Sequence, residues 1–167
     1  MTKIALVTGG TRGIGASISQ KLKSSNFKVI ANYASNDEAA KSFSEEFGIE
    51  VMKWDVSNHK DCKEFIDKIY EQNTSIDILV NNAGITRDAP LHKMSLENWQ
   101  KVINVNLNSV FNMTSLVINK MRENNFGRII LMSSVLADSP VVSTGIYAGS
   151  KGFVESYAMI GERNGRT

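Results

Sequence analysis

The sequence predicts an α/β fold: a Rossmann-like, doubly wound parallel sheet with helices on both faces. Three observations predict it. Short apolar, β-branched runs alternate with stretches of helical periodicity, the alternation runs through most of the 167 residues, and a glycine cluster follows the first apolar run. Parallel strands need crossover connections, and the intervening helices supply them.

Each element has its own signal. Lys3 to Val7 reads as the first strand; the glycines that follow turn the chain, and Ile14, Ile18 and Leu22 then recur at helical spacing. Lys28 to Asn32 reads as a second strand, and Ser35, Asn36 and Asp37 supply capping side chains for a helix carrying Ala40, Phe43 and Phe47, which Gly48 stops. Glu50 to Trp54 is the third strand, followed by a helix with Cys62, Phe65, Ile66 and Ile69, and the fourth strand runs through Ile76 to Val80. A long helical segment from about Leu96 to Met121, punctuated by asparagines, precedes a fifth strand at Arg128 to Met132, and the chain turns helical again from Tyr147. The two prolines, Pro90 and Pro140, fall in loops after strands four and five. With no internal repeat or linker, residues 1–167 are expected to form one domain, as suits a chain of this length.

Composition excludes several classes. At 42% hydrophobic and 22% charged residues the chain matches ordinary globular proteins. A net charge of +2, with dispersed Lys and Arg, gives no sign of a nucleic-acid or membrane partner, and no apolar run approaches the ~20 residues that span a bilayer. Cys62 is the single cysteine and Met1 leads straight into a strand, so a cytoplasmic setting is expected. His59 and His92 have no metal-ligand partners, so no metal is expected. Cys62, Phe43, Phe47 and Phe65 read as core residues.

The chemistry concentrates in three places. In Thr8-Gly9-Gly10-Thr11-Arg12-Gly13-Ile14-Gly15 the glycines sit between a strand and a helix, where backbone amides can approach a pyrophosphate. The spacing of Gly9, Gly13 and Gly15 differs from the Gly-x-Gly-x-x-Gly of ordinary dinucleotide folds, and by itself it fits a tight turn equally well. Asn81-Asn82-Ala83-Gly84 ends strand four. Tyr147 and Lys151 stand at i and i+4, on one face of a helix. A tyrosine ordinarily titrates at about 10, and an ammonium one turn away would favour its phenolate.

In combination these motifs resemble the short-chain dehydrogenase/reductase family. The resemblance implies a nicotinamide dinucleotide held by Thr8, Gly9, Gly10, Arg12, Gly13, Ile14 and Gly15. Asp55 and Val56 would flank its adenine, while Asn82, Ala83 and Gly84 would contact the adenine-ribose side and brace the sheet. It implies Tyr147 as the group that protonates a carbonyl oxygen, and Lys151 as its electrostatic partner and a ligand of the nicotinamide ribose. Ser134 would hydrogen-bond the substrate oxygen, with Ser133 ranked lower, and Asn106 would hold a water behind the lysine. An asparagine within a helix is otherwise unfavourable, although a solvent-facing position would also explain it.

Cofactor choice can be read at the end of strand two, Ala31-Asn32-Tyr33-Ala34, where NAD enzymes place an acid. No carboxylate stands there, Arg12 could pair with a 2′-phosphate, and NADPH is expected over NADH, although Asp37 is close in sequence. Ile78 to Asp88 and Phe126 to Ile130 resemble the β-ketoacyl reductase branch, whose substrates are 3-oxoacyl thioesters of coenzyme A or acyl carrier protein. The loop from Val135 to Ile146 does not distinguish the two carriers. The family's further strands, its substrate lid and the elements that build its homo-oligomer find no counterpart before Thr167. Two expectations follow: an incomplete reductase, weakly active or inactive by itself, or a catalytically silent remnant retaining part of a nucleotide site.

Overall fold

A computed structural model describes residues 2–73 and 75–164. Five parallel strands lie in the order β3-β2-β1-β4-β5: β1 Ile4–Val7, β2 Lys28–Tyr33, β3 Glu50–Lys53, β4 Ile78–Asn81 and β5 Arg128–Leu131. Every residue of β1 and β4 is buried, as expected of parallel strands covered on both faces. Period-two alternation divides the core. Ile4 and Leu6 face one layer with Cys62, Ile66, Met113 and Val117, and Ala5 and Val7 face the other with Phe43 and Ile49. The first layer is closed by α3 (His59–Gln72) and α5 (Ser109–Glu123), the second by α1 (Gly13–Ser24) and α2 (Asp37–Phe47).

The fourth strand begins two residues later than the apolar run suggests. Asp77 is spent on the strand entry instead: its amide donates to the Ile4 carbonyl, its carboxylate accepts the Ile4 amide at 2.7 Å, and its carbonyl accepts from Arg128. The long helical segment is also not uniform. It runs as α4 (Leu96–Ile103), a π-helical turn (Asn104–Asn108) and α5, and the π turn lies where the asparagines cluster. The last helix, α6, spans Gly145–Asn164.

The starts of α2, α3 and α4 carry side-chain caps, and the start of α1 does not. Asn36 caps α2 through Ala39, Asn58 caps α3 through Lys60 and Asp61, and Ser95 caps α4 through Asn98. At α1 the N-cap residue, Arg12, makes no side-chain capping bond, so the first-turn amides there remain available. Gly48 ends α2 in the left-handed region at φ 59°, as its position predicted.

Candidate active site

Polar bonds brace the loop after β1 from both neighbouring strands. The Asn82 side chain donates to the carbonyls of Thr8 (2.9 Å) and Gly9 (3.2 Å), and the amides of Asn82 and Ala83 both donate to the Thr8 hydroxyl at 3.0 Å. From β2, buried Asn32 accepts the Gly9 amide on its side chain and the Gly10 amide on its carbonyl. Gly9 has φ +61°, which favours glycine, and a Cβ on Gly15 would overlap the Gly9 carbonyl oxygen. The loop is therefore a rigid concave backbone ending at the uncapped start of α1. Asn82 acts directly on it, and no motif resemblance pointed to Asn32; a polar residue inside an otherwise apolar buried strand was the available signal.

A cleft of about 390 Å³ opens beside this loop. Its walls are Arg12 and Ile14, the segment Asn82 with Gly84 to Arg87, the end of β5 at Met132 and Ser133, and Tyr147 and Lys151 of α6. The position, outside strand C-terminal ends where β1 separates β2 from β4, is the usual ligand crevice of open α/β sheets.

Lys151 is only 5% exposed. Its ammonium donates to the Met132 carbonyl at 2.6 Å and lies 5.9 Å from the centre of the Tyr147 ring. Burial away from water holds the lysine below its ordinary pKa. Asn106, in the π turn and 1% exposed, accepts the Ile85 amide (2.9 Å) and donates to the Ile85 carbonyl and the Ser150 hydroxyl, both at 3.0 Å. Its position is thus internal rather than solvent-facing. A Cβ on Gly84 would sit 3.5 Å from the Asn106 Oδ1 and 3.6 Å from the Lys151 Nζ, so these groups converge on the bare backbone of Gly84.

The two serines after β5 divide in role. Ser134 caps the turn Val135–Ala137, its hydroxyl oxygen accepting from the Leu136 amide at 3.2 Å. Ser133 lines the cleft, and its hydroxyl lies 2.6 Å from Glu155 and 3.3 Å from the Lys151 carbonyl, fastening α6 to the end of β5. The structure also brings in backbone partners that no side-chain motif advertises: the carbonyl of Met132 and both polar groups of Ile85.

On the β3 side, Asp55 is exposed and accepts from the Ser57 amide and hydroxyl, while the Val56 side chain is buried in the core. At the end of β2 the Tyr33 hydroxyl donates to Asp37 at 3.0 Å, and Lys53 pairs with the same carboxylate at 2.8 Å. Cys62 is buried and its thiol is pushed up to about 12 by burial, in keeping with a core role. Among the described residues no group of three or more His, Cys, Asp or Glu could hold a metal, and no helix is long and apolar enough to cross a membrane.

The family model for short chain dehydrogenases matches residues 3–164. The chain belongs to the short-chain dehydrogenase family. Membership makes it an oxidoreductase with a nicotinamide cofactor. Among curated members it is 48% identical to acetoacetyl-CoA reductase of Shinella zoogloeoides and 46% identical to that of Paracoccus denitrificans. In both cases the match takes in 100% of this chain and 71% of the relative. It is 35% identical to the 3-oxoacyl-[acyl-carrier-protein] reductase FabG of Buchnera aphidicola, over 94% of this chain and 66% of that one. Among solved structures, the family's fold is matched in serine dehydrogenase from Escherichia coli, with a TM-score of 0.89 and 32% identity over 96% of this chain and 76% of that chain.

Proposed function

We propose that the protein reduces a 3-oxoacyl thioester, acetoacetyl-CoA in the first instance, to the 3-hydroxyacyl thioester with NADPH. The observation that carries this reading is the buried Lys151 ammonium 5.9 Å from the centre of the Tyr147 ring, both residues lining the cleft that Arg12 and Ile14 of the glycine loop also line. Similarity to acetoacetyl-CoA reductases over the whole chain supports the substrate class. Tyr147 and Lys151 of α6 share one cleft with Arg12 and Ile14 of the glycine loop and with the segments that follow β4 and β5, which favours a working reductase over a silent remnant.

The residues fit a dinucleotide. The uncapped amides of α1 and the open space at Gly13, where a Cβ would meet nothing within 4 Å, suit a pyrophosphate. Bound there, the nicotinamide would supply hydride to the carbonyl carbon. Tyr147 donates the proton to the carbonyl oxygen. Lys151 holds a positive charge beside the phenol, where it offsets the negative charge that develops on the oxygen during the transfer. Ser134 stands one residue beyond the cleft-lining Ser133 and accepts in its capping bond, which leaves its O–H to donate to a substrate oxygen that reaches the start of that turn. Asn106 spends both its N–H donors on Ile85 and Ser150. Its role is to fix the wall beside Lys151, with the second lone pair of Oδ1 as the place left for a water.

NADPH is favoured over NADH by the same surroundings. Asn32 stands where an NAD-binding acid would be expected, its amide group committed to Gly9 and Trp54. Arg12 lines the cleft and is free to meet a 2′-phosphate.

Oxidation of NADPH dependent on acetoacetyl-CoA is the direct test. Tyr147→Phe should abolish that turnover, by more than about a hundredfold, while leaving NADPH affinity intact. Persisting turnover in the variant would remove Tyr147 from this role, and no turnover in the unaltered protein would favour the remnant.

A further inference from the structure

An acid near the end of β2 is the rival of any NADPH assignment, because an ionised carboxylate there would accept from the ribose 2′-hydroxyl and repel a 2′-phosphate. Asp37 is that acid, and it is already engaged. Tyr33 donates to one oxygen at 3.0 Å and Lys53 pairs with the other at 2.8 Å. The Lys53 ammonium and the Tyr33 hydroxyl hold the Asp37 carboxyl below its ordinary range, and Asp37 in turn raises Lys53, so the pair stays charged on both sides at neutral pH.

The topology says what this pair stands beside. Tyr33 and Lys53 are register partners, the last residues of β2 and β3. They lie one step beyond Asn32, which binds the amides of Gly9 and Gly10. With a pyrophosphate at the start of α1, the adenosine half of a dinucleotide runs outward over these strand ends. Lys53 and Asp37 are each about half exposed or more, at 49% and 65%, and exposed ion pairs contribute little. A phosphate dianion can therefore draw the ammonium off the carboxylate at small expense, gaining a charge-assisted bond.

Resting on the NADPH reading above, we propose that Lys53 is a second specificity-determining residue for the 2′-phosphate, alongside Arg12, and that Asp37 restrains it. The lysine is shared between a carboxylate of the protein and the phosphate of the cofactor. A mere surface ion pair would stabilise the fold slightly and would not distinguish two cofactors that differ only in that phosphate.

Titration of the protein with NADPH and with NADH separates the possibilities. Lys53→Met should weaken NADPH about three- to fivefold and leave NADH unchanged, Lys53→Arg should retain NADPH affinity, and Asp37→Asn should tighten NADPH. NADH serves as the internal control for folding. The proposal is overturned if the unaltered protein prefers NADPH but Lys53→Met leaves the NADPH to NADH ratio where it was or weakens both equally. It also fails if Asp37→Asn weakens NADPH. A protein that prefers NADH from the start overturns the NADPH reading itself, a separately recognisable result.

Discussion

Lys151 illustrates how one side chain is compromised for chemistry. Its ammonium is buried with one backbone carbonyl as partner, and burial lowers its pKa from 10.5. Between the lowered value and 10.5 the native state binds fewer protons than the unfolded chain, so this group's contribution to stability rises with pH through that window. Below the window the burial penalty is present in full. Replacing Lys151 with Met should therefore cut reduction by more than about a hundredfold without lowering Tm near neutral pH, and should remove this group's part of the alkaline rise. Unfolding curves of both proteins from neutral to alkaline pH check it. Gly15 is constrained by shape alone. Since a Cβ there would overlap the Gly9 carbonyl and crowd the Asn82 amide, Gly15→Ala must open the loop, and titration should find NADPH binding weakened by more than about tenfold.

Among the elements, the π turn between α4 and α5 carries the most functional information. A wider turn at Asn104–Asn108 places buried Asn106 where it clamps both polar groups of Ile85, the residue that follows the Asn81 to Gly84 motif. Asn106→Ala would strand the Ile85 amide and carbonyl as well as the Ser150 contact. The expected loss is about 2–4 kcal/mol, read as a Tm lower by roughly 5–15 °C, together with weaker cofactor binding as the cleft wall loosens. Thermal unfolding with and without NADPH measures both. Capping tells a complementary story: α2, α3 and α4 satisfy their own starts with Asn36, Asn58 and Ser95, while α1 does not. The start left open at α1 lies beside the cleft, which Arg12 and Ile14 line.

At the scale of the whole molecule, two apolar layers lie on opposite faces of the sheet, and Cys62 sits in one of them, fully buried against Val56. Burial pushes its thiol up to about 12, so little thiolate exists at neutral pH. Labelling by a thiol reagent at pH 8 should therefore track opening of the α3 layer. It should be at least about a hundredfold slower in the native protein than in urea, and slower still with saturating NADPH. Rapid labelling of the native protein would contradict the packing described for α3.

The sequence alone determined the strand and helix alternation, the glycine loop, the Asn81 to Gly84 turn and the pairing of Tyr147 with Lys151. Those features rest on periodicity and on residue types fixed at short spacings, which a linear reading captures. The tertiary structure decided the rest. That Asn32 and Asn82 grip the glycine loop, that Ser133 rather than Ser134 lines the cleft, that Lys151 leans on the Met132 carbonyl and that Asp37 is held by Lys53 all depend on contacts across 16 to 74 positions of chain, several of them to backbone atoms. Backbone groups are the same at every residue, so only the folded chain shows which of them a side chain meets.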